Sequence, residues 1–376
     1  MIKLLFDLLS TQPNTSGKRH GGGKYGEVVF YRMVERGIKF SCFYDSQRWL
    51  NPQIANLCKT AQIALFDVKD ESIEEIIRKN NISRIYSALP GKLAKLDCCE
   101  VYGTIHGLRE LETPFDEIFY EYNHPLKDII KFILKKMFLT SFYRMKKKRF
   151  REYYINSKFN IITVSNHSKY SLYSYFPELR GQHIPVFYSP NTSRDESFEK
   201  NNVARYFMLV SGNRWEKNNL RAIMAFDRLV SSGLLNSDMR MKVTGTTGKD
   251  FKYRIENLDS FDFLGYIDDN ELEKLYANAF AFVYPSLNEG FGYPPLEAMK
   301  YGVPVLASPF SSIPEVCGGS VLYFNPLSVE EIMNRMLMIT DSNLYYEYSQ
   351  KALLRYSEIK RKQDEDLDRL IDYINN

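Results

Sequence analysis

The feature that most limits the fold of this chain is a repeated alternation of apolar, strand-like runs with amphipathic helical stretches. In the N-terminal half, the strand-like runs occupy 2–9, 39–44, 82–89, 101–107 and 160–166. Strands that alternate with helices at this spacing form a parallel sheet with helices on both faces. This half of the sequence therefore predicts one doubly wound α/β domain.

The same alternation starts again near residue 206, after the polar stretch 190–202. A chain of 376 residues also suits two domains better than a single core. We therefore predict an N-terminal domain over 1–195, a C-terminal domain over 203–355 and a final helix over 356–376 that crosses back to the first domain. Two Rossmann-like domains that face each other across a cleft bind ligands at the carboxyl ends of their strands.

Two helices carry a sequence signal for their first turn. Ser72 is followed three residues later by Glu75, and Ser328 is followed by Glu331. A serine and a glutamate at this spacing form a capping box, in which each side chain accepts a backbone N–H of the other residue. The sequence predicts a capping box at both positions.

The cysteines and the apolar runs bear on the cellular compartment. The five cysteines show no CxxC spacing, which indicates neither a disulfide framework nor a zinc site and favours a reducing compartment. The apolar run at the N-terminus is short and contains Asp7, unlike a signal peptide. Since no run of about 18 apolar residues occurs, we predict a cytoplasmic protein without a spanning helix.

The segment 280–308 carries the strongest functional signal. A strand-like run leads into Glu289, Gly290, Phe291 and Gly292, and a helix is predicted to begin near Pro294. Glycines let the backbone approach a ligand closely, and a helix N-terminus suits a phosphate or diphosphate.

Glu289 in this loop and Glu297 on the helix are suited to accept hydrogen bonds from sugar hydroxyls. Alternatively, both glutamates are acids that the helix dipole favours near a helix start.

As a whole, this segment resembles the E-x7-E motif of glycosyltransferase family 4, a large group of retaining enzymes with the GT-B fold. Further segments resemble the same family in the same order, from about residue 20 to residue 326. They are the glycine-rich segment 21–26, the Thr-Ile-His-Gly segment 104–107, the Thr-Val-Ser-Asn-His-Ser segment 163–168, the strand end 263–266 and the Ser-Ile-Pro-Glu-Val segment 312–316. Gly107 stands where the family usually has an acid.

The resemblance implies which residues hold the donor. The segment 21–26 is similar to a donor-side glycine loop, with Gly22, Gly23 and Lys24 as candidate contacts. The strand end with Gly265 and Tyr266 is similar to the nucleotide-binding part of the family.

The segment after the strand at 205–213 is similar to the diphosphate clamp of the family, although its spacing is shorter. Gly212 lies at the strand end, and Arg214 and Lys217 supply the positive charges. Cations at a helix start oppose the dipole, which favours an anionic ligand that compensates them. An exposed charge pair is the alternative.

The place of His106 in the Thr-x-His segment implies a catalytic contact to the donor sugar, although an isolated histidine after a strand more often has a structural role. The imidazole could bond a sugar hydroxyl or stabilise charge in the transition state. No acidic pair stands in a loop near these motifs. We therefore predict catalysis by His106, Glu289, Lys217 and Arg214, with no metal and no cofactor.

The implied activity is retaining transfer of a hexose-type sugar from GDP-mannose or a UDP-sugar to a saccharide acceptor in surface polysaccharide synthesis. The N-terminal domain would bind the acceptor and the C-terminal domain the nucleotide sugar. Two alternatives are a nucleotide-sugar epimerase with the GT-B fold and a non-catalytic partner protein that kept the fold. The sequence does not determine the donor base, the sugar, the acceptor, the linkage or the oligomeric state.

The segment 124–154 contains ten Lys or Arg residues and two acids, whereas the whole chain has a net charge of +4. Its lysines at 127, 131 and 135 share one helical stripe beside a broad apolar face. This pattern is typical of an interfacial helix on an anionic membrane, and equally of a domain helix that packs its apolar face on the sheet. The first interpretation predicts a peripheral membrane protein with a lipid-linked acceptor. The basic run lacks a nucleic-acid recognition motif, so we predict no nucleic-acid partner.

Overall fold

The computed structural model describes residues 3–13, 21–114, 117–122, 126–191, 205–249 and 251–376. The chain divides into two compact units. The first unit comprises 1–108, 144–192 and 360–376, and the second comprises 109–143 and 193–359.

Each unit contains a parallel sheet whose innermost strands are fully buried and whose edge strands are partly exposed. The strands of the first unit are β1 (Leu4–Asp7), β2 (Phe40–Tyr44), β3 (Leu65–Asp67), β4 (Arg84–Ser87), β5 (Glu100–Ile105) and β6 (Phe159–Thr163). Those of the second unit are β7 (Tyr206–Leu209), β8 (Arg240–Thr244), β9 (Phe261–Gly265), β10 (Ala281–Tyr284), β11 (Val305–Ala307) and β12 (Leu322–Tyr323). Near-continuous apolar runs such as these are typical of parallel strands covered on both faces.

The two sheets have the same topology. The strand order is β3-β2-β1-β4-β5-β6 in the first and, read from its other edge, β9-β8-β7-β10-β11-β12 in the second. Every pair is parallel, as between β1 and β4, where Leu4 lies opposite Arg84. The order reverses at β1 and β4 and again at β7 and β10, and ligands of doubly wound sheets bind at such reversals. The predicted pair of doubly wound domains is confirmed.

Helices connect these strands. They are α1 (Gly21–Glu35), α2 (Pro52–Thr60), α3 (Ile73–Asn80), α4 (Arg109–Glu112), α5 (Phe119–Tyr122), α6 (Leu126–Met137), α7 (Leu139–Tyr154), α8 (Asn166–Tyr175), α9 (Asn219–Ser231), α10 (Asp269–Asn278), α11 (Tyr293–Met299), α12 (Ile313–Cys317), α13 (Val329–Met338) and α14 (Ser342–Asn375).

The two predicted capping boxes have different outcomes. At α3, the Ser72 hydroxyl accepts from Glu75 N and the Glu75 carboxylate accepts from Ser72 N, so the box is confirmed. At α13, Ser328 Oγ accepts from Glu331 N at 3.1 Å, but the Glu331 carboxylate accepts from Asn325 N at 2.7 Å. The second box is therefore half formed, because the preceding turn supplies a competing backbone donor.

The division into units differs from the predicted bounds in one place. Residues 109–143 fall inside the predicted domain 1–195, but they belong to the second unit. Ile118 is part of the hydrophobic core of that unit, and the Tyr122 hydroxyl accepts from Leu220 N at 3.0 Å. The Phe119 ring also packs edge-on against Trp215.

The C-terminal helix α14 begins at Ser342, earlier than the predicted residue 356, and its last part belongs to the first unit, as predicted. There Gln363 Nε2 donates to Ser189 O at 2.5 Å, and Arg36 forms an ion pair with Asp372 at 2.7 Å. The predicted boundary at 190–202 lies mostly outside the described residues.

Candidate functional site

The predicted diphosphate clamp and the loop before α11 lie next to each other in the second unit. They follow β7 and β10, the neighbouring strands at which the strand order reverses. Backbone and amide groups join them, since Leu287 N donates to Glu216 O at 2.8 Å and Asn218 Nδ2 donates to Pro285 O at 3.1 Å. Asn218 has a φ of 56°, a left-handed conformation that asparagine tolerates better than most residues.

A buried ion pair between Lys217 and Glu289 is the centre of this site. Lys217 Nζ lies 2.5 Å from Glu289 Oε1 and donates a second hydrogen bond, of 2.9 Å, to the hydroxyl of Tyr284. Ser286 Oγ donates to the same carboxylate oxygen at 2.5 Å. Lys217 is 5% exposed and Glu289 is 7% exposed. The alternative interpretation of Lys217 as a member of an exposed charge pair is therefore wrong.

The surroundings of the pair shift both pKa values. Burial alone would raise the pKa of Glu289, but the Lys217 charge, the hydrogen bonds from Lys217 and Ser286 and the Arg109 charge hold it at about 2. Burial lowers the pKa of Lys217, and the charges of Arg214 and Arg109 add to that shift while Glu289 opposes it. Glu289 is therefore ionised near neutral pH, and the site has a local excess of positive charge.

Arg109 is a site residue that the sequence interpretation missed. It opens α4, and Glu112 on the same helix accepts a hydrogen bond of 3.0 Å from Asn288 Nδ2, next to Glu289. Arg109 lies far along the chain from the segments that contain Lys217 and Glu289. The sequence therefore carried no signal for it, other than its position three residues after His106.

Serines that follow β11 hold the backbone of the loop at 289–292. Ser311 Oγ accepts from Glu289 N at 2.7 Å, and Ser312 Oγ donates to the carbonyl oxygens of Glu289 and Phe291 at 3.0 and 2.8 Å. Gly292 has a φ of 111°, which a residue with a Cβ rarely adopts. Ser312, the first residue of the Ser-Ile-Pro-Glu-Val segment, thus holds the backbone of this loop in place.

Glu297 lies on α11, a helix of seven residues. Its carboxylate is hydrogen-bonded with the hydroxyl of Tyr276, whose pKa is raised well above its usual range by burial, by the Glu297 charge and by this bond. The predicted contact between Glu297 and a sugar hydroxyl stays a prediction.

Gly212 and Gly265 lie at strand ends in the second unit. A Cβ on Gly212 would lie 2.4 Å from Thr246 Cγ2, so this position has no room for a side chain. Gly265 has a φ of 64° and donates its N–H to Thr246 O at 3.0 Å. Tyr266, the next residue, is 71% exposed, and its predicted contact with the nucleotide stays a prediction.

His106 and the glycine-rich segment lie in the first unit. His106 follows β5, and its Nε2 donates to Ala88 O at 3.0 Å, because a carbonyl oxygen only accepts. In a neutral ring whose Nε2 carries the proton, Nδ1 is the nitrogen that accepts hydrogen bonds. Ser168 Oγ in turn donates to His106 O at 3.3 Å, and Ser165 caps α8 by accepting from Ser168 N.

Gly107 has a φ of 148°, in the range that favours glycine. This backbone conformation explains why a glycine stands at this position, where the family that the segment resembles usually has an acid.

The predicted glycine loop is wrong in its secondary structure. All six residues of 21–26 lie within α1, and the preceding residues 14–20 lie outside the described part of the chain. A Cβ on Gly22 would approach Leu89 Cδ1, at the end of an exposed side chain, to 2.9 Å. Gly23 and Lys24 follow in the same first turn.

In the ranges that the structure describes, no group of three or more His, Cys, Asp or Glu side chains is arranged to hold a metal ion. Within the same ranges, no helix is long and apolar enough to cross a bilayer.

The part of the chain that contains this site is similar to a known protein family. Residues 192–354 match the model of the glycosyl transferases group 1, a range that contains Arg214, Lys217, Glu289 and Glu297.

The O-antigen chain mannosyltransferase RfbU of Salmonella typhimurium is 30% identical over 174 residues, which are 44% of this chain and 47% of RfbU. The matches to the first curated relatives span 11% to 47% of the length of those relatives.

The similarity to solved structures of other proteins extends over nearly the whole chain. WaaG, a glycosyltransferase involved in lipopolysaccharide biosynthesis, has a TM-score of 0.67 at 16% identity, with 99% of each chain covered. HepE of Anabaena in complex with UDP-glucose has a TM-score of 0.63 at 14% identity, with 98% of this chain and 99% of HepE covered. At this identity the likeness shows the fold, and the fold is GT-B.

Proposed function

We propose that this protein is a retaining glycosyltransferase that moves a hexose from a nucleoside-diphosphate donor to a saccharide acceptor during surface polysaccharide synthesis. The observation that carries the proposal is the buried Lys217–Glu289 pair at the strand reversal of the second unit. The name of RfbU, an O-antigen chain mannosyltransferase, supports mannosyl transfer, and HepE was solved with UDP-glucose. GDP-mannose is thus the first donor to test and UDP-glucose the second.

The charges of the site fit the leaving group of such a donor. In the transfer, the bond between the anomeric carbon and the diphosphate oxygen breaks, and a bond from that carbon to the acceptor oxygen forms. The acceptor proton passes to the departing diphosphate. Arg214 and Lys217 would stabilise the developing negative charge without a metal. Glu289 would accept a hydrogen bond from a hydroxyl group of the sugar.

Nucleotide binding gives the first test. GDP, UDP, ADP and dTDP are added separately, and the melting temperature should rise for the nucleotide that binds, by mass action. The matching nucleotide sugar is then incubated with and without a saccharide acceptor, and the anomeric configuration of the product is determined by NMR. A retained configuration supports the proposal, and an inverted one contradicts the retaining mechanism.

The two alternatives give different results in the same experiments. A donor that changes its sugar without any acceptor would indicate an epimerase. Failure to bind any of the four nucleotides would indicate a non-catalytic protein.

We also propose that α6 docks the protein peripherally on an anionic membrane at the cytoplasmic face, where it would reach a lipid-linked acceptor. Phe132 is buried and stacks on Phe119, whereas the apolar side chains on the outer face of the helix are exposed. These exposed residues are Ile130, Ile133, Leu134 and Met137, with exposed fractions between 46% and 69%. They recur at helical spacing beside Lys135 and Lys136, which is the pattern of an interfacial helix.

Sedimentation with vesicles tests the membrane proposal. The wild type should sediment with phosphatidylglycerol vesicles, and the double variant Ile133→Asp, Met137→Asp should stay in the supernatant. Leu354→Asp, at an exposed leucine of α14, is the matched control and should sediment like the wild type.

The basic run of α7 is tested separately. Glutamate at Lys146, Lys147, Lys148 and Arg149 together should abolish binding, since each cation near an anionic surface contributes about 1 kcal/mol. Unchanged sedimentation of the α6 and α7 variants would rule out this surface as the membrane contact.

A further inference from the structure

The charges around the Lys217–Glu289 pair do not balance. The charged groups that shift the pKa of Lys217 are the Glu289 carboxylate and the guanidiniums of Arg214 and Arg109. Together with the Lys217 ammonium these are three cations against the Glu289 carboxylate, and with the Glu112 carboxylate, which accepts from Asn288 next to Glu289, an excess of one positive charge remains among these five groups. Like charges held close together in a partly desolvated site repel each other, and an anionic ligand removes that repulsion.

Arg109 has a second feature that points to a ligand. Its Nε is buried and has no hydrogen-bond partner among the residues that the structure describes. A buried N–H without an acceptor costs about 1–3 kcal/mol, so such groups usually have a partner in the functional state.

The position of Arg109 is fixed by the segment that follows it. Glu112 is bonded with Asn288, the neighbour of Glu289, and Phe119 packs on Trp215, two residues before Lys217. Residues within 109–114 and 117–122 thus contact both loops of the site. These contacts place Arg109 near the ion pair, in agreement with the effect of its charge on the pKa values of Lys217 and Glu289.

We propose that Arg109 is a third cation of the diphosphate site and donates hydrogen bonds to a phosphate of the bound nucleoside diphosphate. The inference rests on the proposed function and extends it to a residue outside the family match, which begins at residue 192. A guanidinium presents its donors in a planar fork that fits phosphate oxygens, so its chemistry suits this ligand.

Calorimetric titration of folded variants tests the role of Arg109. Wild type, R109Q, R109K and R228Q are titrated with GDP, UDP and inorganic pyrophosphate. R109Q should weaken binding of the nucleoside diphosphate and of pyrophosphate by about tenfold or more, the usual effect of a lost charged hydrogen bond. The affinity of R109K should fall between those of R109Q and the wild type, because lysine keeps the positive charge but lacks the planar fork of donors of a guanidinium.

R228Q is the matched control in the same unit. Arg228 is exposed and pairs with Glu330 at 2.9 Å, so its replacement should leave the affinity within about twofold. Wild-type affinity in R109Q would overturn the inference and leave the proposed function intact. If the wild type binds none of the three probes, both proposals are overturned. Should R109Q fail to fold, R109K decides the question by the same comparison.

Discussion

Removal of the Lys217 ammonium should destabilise the second unit strongly. In Lys217→Met, the buried Glu289 carboxylate loses its ion pair. The pKa of Glu289 lies at about 2 against a usual 4.5, and a difference of this size corresponds to about 3 kcal/mol. Loss of one partner of a buried pair typically costs about 3–5 kcal/mol. We therefore expect the free energy of unfolding to fall by about 3 kcal/mol at pH 7.

The pH dependence gives this prediction its sign. In the wild type, the lowered pKa of Glu289 stabilises the fold above about pH 4.5, and this contribution is lost as the pH falls towards 2. Without Lys217, burial raises the pKa of Glu289 instead, so the penalty is present at pH 7 and disappears as the carboxylate is protonated. The difference in stability between variant and wild type should therefore shrink from pH 7 to pH 5.

Urea unfolding followed by tryptophan fluorescence measures the effect. The chain has two tryptophans, and in a Trp49→Phe background Trp215 reports on the second unit alone. Lys351→Met is the control, because Lys351 and Glu347 form an exposed pair whose loss should leave the free energy of unfolding nearly unchanged. A second change, Glu289→Gln, should recover much of the loss in Lys217→Met. A loss below about 1 kcal/mol that does not vary with pH would refute the reasoning.

Three further predictions concern the first unit and the chemistry. Ser168→Ala removes the hydrogen bond to His106 O and should cost about 1 kcal/mol in urea unfolding. It should also lower kcat while nucleotide affinity in calorimetry stays unchanged, and a weakened affinity would contradict this. Gly107→Asp should cost about 1–3 kcal/mol, seen as a lower Tm, because the φ of 148° strains a residue with a Cβ. An unchanged Tm would contradict the strain. Sugar transfer should proceed at the same rate in EDTA as in Mg²⁺, and loss of activity in EDTA would reject a metal-independent mechanism.

Local signals in the sequence predicted most of the sheet and part of the site. The box at Ser72 and Glu75 formed because both partners lie within one turn of the chain. The residues of the ion pair were also named from the sequence, as a cation after β7 and an acid after β10. The direct contact between Lys217 and Glu289 was not predicted, because 72 residues separate them.

The errors arose where tertiary packing overrides local preference. The loop at 21–26 was predicted from the resemblance to a glycine-rich donor-side loop, and a glycine costs about 1 kcal/mol in a helix relative to alanine. Burial of Tyr25, Val29 and Phe30 on one face of this helix favours the helix in spite of that cost. Residues 109–143 likewise carry no local mark of the unit that they join, because their contacts with Trp215 and Leu220 are distant along the chain.

The path of the chain between the units limits how the protein is divided in the laboratory. The backbone changes unit at four junctions, after residues 108, 143, 192 and 359. A fragment that ends at residue 192 would carry Ile118 and Phe119 without the partners that cover them, and it would lack the helical turns that contain Gln363. Chimaeras between this chain and its relatives therefore require 109–143 and 193–359 to be transferred together.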